Sequence, residues 1–193
     1  MPRKPRLDVP GTLHHIMIRG IERTLIFQDE EDRNNFVNRM RYLVKETGTR
    51  MLAWALLTNH IHLLVVSGPV GLSSFMRRLL TGYAIRFNKK YRRFGHLFQN
   101  RYKSIICDMD PYLLELVRYI HLNPERTVLL KQPSSYLNYL GKSKQDWVKP
   151  DFILQNFAKR GFNSYQAFVE SDDSELSEQT IRTISKIAID FES

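Results

Sequence analysis

The chain has a single cysteine, Cys107, in 193 residues. No disulfide can close within it, which fits a reducing compartment. Long apolar runs are also missing. The longest unbroken one, Met51 to Leu57, falls far short of the roughly 20 residues a membrane helix needs. The basic N-terminus has no apolar stretch behind it, so no secretory leader is expected. A soluble, cytoplasmic protein with no membrane partner is expected. Acid is lacking over a third region: from Thr47 to Cys107 there is no Asp or Glu. That stretch holds ten basic residues: Arg50, Arg77, Arg78, Arg86, Lys89, Lys90, Arg92, Arg93, Arg101 and Lys103. With a net charge of +9, this distribution points to a polyanionic partner, most often nucleic acid. The tail from Ser171 to Ser193 is the reverse, with six acids against Arg182 and Lys186, an asymmetry that raises the hypothesis of a tail shielding the basic body. The apolar and charged fractions, 42% and 25%, are those of an ordinary globular protein.

The length suits one domain with an extension, or two small domains. Leu13 to Arg19 reads as a strand ended by Gly20. Asp29 caps a helix that runs to about Thr47, where Gly48 stops it. Met51 to Leu57 and His60 to Val66 read as two strands joined by a tight turn at Thr58-Asn59. Gly71 to about Tyr91 is an amphipathic helix whose apolar stripe is Leu72, Phe75, Leu79, Tyr83 and Phe87. Arg101 to Asp108 is a fourth strand. Asp110 and Pro111 open a helix that carries Tyr119 and is expected to end near Asn123, because Pro124 disfavours helix in the residue before it. This order predicts an α+β fold: a ferredoxin-like sandwich, an antiparallel sheet with packed helices, plus a C-terminal helical extension. The expected division is 1–130 for the main domain and 131–193 for a loop and the helical extension, whose own core would be Phe157, Tyr165 and Phe168.

Residues two apart on a strand point the same way, so His60 and His62 present two imidazoles together while Ile61 faces the core. Two neutral imidazoles suit a divalent metal. Tyr119 and Asn123, four apart, share one helical face. The Asn123 amide is a candidate third ligand beside the phenol, and Glu115, one turn earlier, is its rival. Taken singly, the histidine pair is equally a pair of strand polars and Tyr119 a core aromatic. Together they suggest a metal site facing a tyrosine nucleophile. A phenol with a pKa of about 10 needs help to attack at neutral pH. Bound Mg²⁺ or Mn²⁺ would polarise a scissile phosphate. A phosphotyrosine keeps the energy of the broken phosphodiester, so rejoining needs no ATP.

These residues resemble the HUH single-tyrosine transposases, in which U is a bulky apolar residue, and within them the REP-associated tyrosine transposase branch. The resemblance covers roughly residues 5 to 140. It includes Pro10-Gly11, Arg19-Gly20, Asn59-His60-Ile61-His62-Leu63, the run from Gly95 to Lys103, Tyr119 to Pro124, and Ser134-Ser135-Tyr136. It implies His60, His62 and Asn123 as metal ligands and Tyr119 as nucleophile. It also implies a 5′-phosphotyrosine link and a free 3′-OH on single-stranded or hairpin DNA, and it makes 1–130 the catalytic domain. Thr58 stands where the family usually has proline, which bears on the turn and not on the ligands.

For DNA contact the expected residues are Arg3, Lys4 and Arg6 on the N-terminal arm, then Arg77, Arg78, Arg86, Lys89, Lys90, Arg92, Arg93, Arg101 and Lys103. Arg101 and Lys103 would share one strand face. His96 is either a phosphate contact or a structural residue. His14 and His15 point to opposite faces, so both cannot serve one site. The protein is expected to act as a monomer or homodimer, with Tyr119 serving its own or a partner's histidine pair. Two rivals are a relaxase or replication-initiator nickase, which would commonly carry further domains, and a non-catalytic single-strand nucleic-acid binder, which would rely on exposed stacking aromatics.

Overall fold

Alternation along Leu13–Arg19 (β1) sends His14, Ile16 and Ile18 to one side of a sheet, and Leu13, His15, Met17 and Arg19 to the other. The same two-residue period in Arg50–Leu56 (β2) and His60–Val66 (β3) sets Trp54, Leu56, Ile61, Leu63 and Val65 against the first side. Lys103–Ile106 (β4) is shorter than the expected strand, although the Cys107 amide still donates to Leu13. The computed structural model describes residues 9–107, 112–126, 133–158 and 164–170. The N-terminal arm with Arg3, Lys4 and Arg6, the Asp110-Pro111 helix start and the acidic tail lie outside the described residues.

The sheet order is β2-β3-β1-β4, with every neighbouring pair antiparallel. Together with the helices Glu30–Thr47 (α1) and Leu72–Lys90 (α2) this is the expected α+β sandwich. The Asp29 carboxylate accepts the Asp32 amide at the start of α1, and Gly48, at φ 65°, closes it in the left-handed region. Both helices pack on the Ile16 and Ile18 side of the sheet through Phe36, Met40, Phe75, Leu79 and Phe87.

The opposite side is covered by Tyr112–Arg126 (α3), which packs on β2 and β3. Its apolar stripe is Leu113, Leu116, Val117 and Ile120. The helix does not stop near Asn123 but runs on to Arg126. Pro124 forfeits one hydrogen bond and constrains the residue before it. In the last turn that loss is small beside the packing of the stripe on the sheet.

The described residues after 132 fold back onto the same domain. Leu56 donates to the Pro133 carbonyl, Ser135 donates to Trp54, and Lys149 donates to Met51, so two short segments line the outer edge of β2. Trp147 stacks on Trp54 at 6.0 Å on the α1 side. On the α3 side lie Tyr136–Tyr139 (α4), Asp151–Ala158 (α5) and Tyr165–Glu170 (α6). Phe157, Tyr165 and Phe168 share one apolar cluster with α3 and the sheet, so the core they join is not the extension's alone. No described helix is long and apolar enough to cross a membrane.

Candidate active site

His60 opens β3 where the sheet meets the Thr58-Asn59 turn. Backbone contacts hold this corner. Gly20 donates to the Asn59 carbonyl, Ile21 donates to Leu97, and Gln99 donates to Arg19. Gly20 is needed for a close approach, since a Cβ there would stand 2.2 Å from the Thr24 carbonyl oxygen. The turn survives Thr58 in place of proline, because the Thr58 carbonyl accepts from Ile26 and that of Asn59 from Gly20.

His60 and His62 project from the same side of β3, their ring centroids 5.2 Å apart. The register sets Arg19 opposite His60 and Met17 opposite His62. Asn59 Oδ1 lies 2.7 Å from His60 Nδ1, and the Asn59 amide nitrogen donates to the Arg23 carbonyl. An amide oxygen only accepts, so the His60 proton sits on Nδ1 and its Nε2 keeps a lone pair. His62 is buried, and its Nδ1 lies 3.1 Å from His15 Nε2. Burial brings His60 down to about 4, and the Arg19 charge adds to the effect. Burial holds His62 well below its ordinary value, with His15 and His60 as further causes. Both imidazoles are neutral at pH 7, the state a metal ligand requires.

Tyr119 reaches the same corner from α3. Its ring meets that of His62 edge to face, with centroids 5.5 Å apart and planes at 89°. Two tethers hold this helix against the extension. His121 Nδ1 contacts the Tyr165 hydroxyl and its Nε2 contacts Ser135 Oγ, both at 2.8 Å. Buried Arg118 donates to the Val169 carbonyl at 3.3 Å. Glu115 pairs with Arg118 at 3.8 Å. Asn123 lies on α3, with its side chain outside the described residues. Among the described residues no three His, Cys, Asp or Glu side chains form a ready-made metal site. The donor chemistry still fits a divalent ion: two neutral imidazoles on one face, one with its Nε2 lone pair fixed by Asn59.

The basic residues divide between the two sides of the sheet. Lys103 stands opposite Met17 on the histidine side, in the rung that contains His62. Arg77, Arg78, Arg86, Lys89 and Lys90 ride on α2, behind the sheet, and Arg92 and Arg93 follow it. Arg86 pairs with Glu31. Lys90 gathers Asp29, Glu31 and Asp32 at 2.7, 2.9 and 3.0 Å, and Arg93 lies over the Phe87 ring. Arg77, His96 and Arg101 line a cleft of about 800 Å³ between α2 and the segment 95–102. His14 turns to Ser104 on the α2 side and His15 to His62, so their opposite facing is as expected. Three neighbours of the histidine pair, His15, Arg19 and Asn59, carry no role in the sequence reading. The signal that finds His15 and Arg19 is their alternation along β1 once its antiparallel register with β3 is known.

A profile of the family described as IS200-like transposases matches residues 9–123. No curated protein matches the sequence. Among solved structures, a REP-associated tyrosine transposase bound to a REP hairpin superposes with a TM-score of 0.59. Its identity is 16%, over 78% of this chain and 90% of that one. At that identity the likeness establishes the fold. A candidate transposase from Deinococcus radiodurans (TM-score 0.43, 17% identity, 63% of this chain and 97% of that one) carries no argument at that score. The same holds for the tRNA(His) guanylyltransferase from Saccharomyces cerevisiae (0.43, 10%, 94% and 80%).

Proposed function

Since the chain belongs to the IS200-like transposase family, we propose that it cleaves and rejoins single-stranded or hairpin DNA through a covalent bond to Tyr119. The observation that carries this reading is the edge-to-face contact of Tyr119 with His62 of the same chain. It sets a phenol beside two neutral imidazoles, which supports a site built within one chain.

In the reaction the Tyr119 Oη attacks a backbone phosphorus. An Oη–P bond forms and the P–O3′ bond breaks, the phenol gives up its proton, and the leaving 3′ oxygen gains one. The products are a 5′-phosphotyrosine and a free 3′-OH. Attack by a 3′-OH on the phosphotyrosine reverses these changes and restores the phenol. His60, His62 and Asn123 would hold Mg²⁺ or Mn²⁺, which when bound withdraws charge from the phosphate. His62 meets the ring of Tyr119 edge to face, and the tethers at Arg118 and His121 hold α3 against the extension, so the phenol is positioned before DNA arrives. Arg19, opposite His60, is a cation next to the reacting phosphate, and Lys103 extends the positive surface along the same face. The hairpin in the REP-associated relative supports hairpin DNA as the substrate class.

The test is incubation of the protein with labelled single-stranded hairpin oligonucleotides and Mn²⁺, followed by a denaturing gel. Wild type is expected to give a labelled covalent adduct that is absent with Tyr119→Phe, while that variant still binds DNA. Binding without an adduct in wild type, across hairpins of varied sequence, would support the non-catalytic binder instead.

A further inference from the structure

We propose that His15 is a positioning residue. It accepts the Nδ1–H of His62 and so keeps the His62 Nε2 lone pair available to a metal ion. The proposal rests on the reading of His60 and His62 as metal ligands.

The two rings are near-parallel, with centroids 5.3 Å apart and planes at 18°, and the bridging nitrogens lie 3.1 Å apart. His15 is 1% exposed and His62 4%, so water does not replace this bond. A hydrogen bond between two neutral imidazoles needs one donor and one acceptor, which leaves two arrangements. If His15 donates, the His62 proton sits on Nε2 and that nitrogen binds no metal. If His62 donates, its Nε2 carries the lone pair. His15 Nδ1 is buried without a hydrogen-bond partner; it is a bare lone pair in the first arrangement and an N–H in the second, so this atom does not favour the second. The ligand role chooses the second.

His60 is handled in the same way. Asn59 engages its Nδ1 from the neighbouring position, whereas His62 is served from another strand. The β1–β3 register pairs His15 with Leu64 and Met17 with His62, which makes the two histidines diagonal neighbours on one face. Metal-binding histidines usually give their second N–H to a carboxylate or carbonyl. A neutral imidazole performs the same orientation without adding negative charge where a DNA phosphate must come.

Two measurements test this. Long-range ¹H–¹⁵N spectra of the metal-free protein at neutral pH report which His62 nitrogen carries the proton. Calorimetric Mn²⁺ titrations of wild type, His15→Phe, His15→Gln and His60→Ala report the affinity, with thermal unfolding as a folding control. Wild-type His62 is expected in the Nδ1–H form. His15→Phe fills the space but accepts nothing, so it should mix the two forms and weaken Mn²⁺ about 10- to 100-fold. His15→Gln, which restores an acceptor oxygen, should recover much of that loss. A wild-type His62 in the Nε2–H form, or unchanged Mn²⁺ affinity in folded His15→Phe, overturns the proposal. If wild type takes up no Mn²⁺, the metal reading fails, and the His62 spectrum still decides where the proton sits. Should His15→Phe not fold, the wild-type spectrum and His15→Gln decide.

Discussion

Ser135 Oγ, fully buried, serves three partners. It accepts from the Trp54 amide at 2.9 Å, meets His121 Nε2 at 2.8 Å, and donates to the Trp54 carbonyl at 3.3 Å. Replacing it with alanine strands a backbone amide and an imidazole nitrogen in the core. Ser135→Ala is therefore expected to lower stability by about 2 kcal/mol, read as a lower urea midpoint; an unchanged midpoint would mean that neither partner depends on it. At this scale the sequence is legible wherever a residue acts through near neighbours. His60 and His62 are readable as a pair because a strand's two-residue period is local. His15 is not, because its role depends on which residue of β3 lies across from it. Nor is Ser135, since its partners are 81 and 14 positions away.

Between elements, the joint that decides most is that of α1 and α2. Lys90, on the last turn of α2, reaches the capping residue of α1, and its hydrogen bond is the largest cause that holds the Asp29 carboxyl at about 2. The α1–α2 pair is thus fastened by charge at one end and by apolar contacts along its length. Lys90→Met is expected to lower the thermal midpoint and leave the salt dependence of DNA binding unchanged. Lys103→Met, on the histidine side of the sheet, should reduce the magnitude of that slope by about one. Equal slopes in the two variants would place the DNA elsewhere. The limits of α1 are legible because Asp29 and Gly48 are both local signals. The end of α3 is not, because Pro124 signals a stop that packing on the sheet overrides, and nothing near Pro124 in sequence reports that packing.

For the molecule as a whole, the buried histidines set a response to acid. Burial lowers His15 and His60 to about 4 and His121 to about 3, against an ordinary 6.5. Below pH 6.5 the unfolded chain takes up protons that the fold refuses, so stability is full above that value and declines as pH falls towards 4. At pH 5 the loss is about 2 kcal/mol for each such histidine as an upper value. In metal-free protein the urea midpoint should therefore fall steeply between pH 7 and pH 5. His121→Gln should flatten part of that fall, and a level profile in wild type would mean the rings are already charged in the fold. The sandwich topology was legible from the order of elements. The placing of the extension was not: its helices show in their own apolar spacing, but nothing local shows that residues 133–135 and 148–149 meet β2.

The two margins of the sheet are consequently unalike. β2 has its outward amides and carbonyls taken up by later parts of the chain, whereas β4 is the terminal strand on the other side. An unpaired strand edge recruits further strands, and a covered one does not. Among the described residues the sheet can therefore gain a further strand along β4 and not along β2, whose outward groups are already bonded.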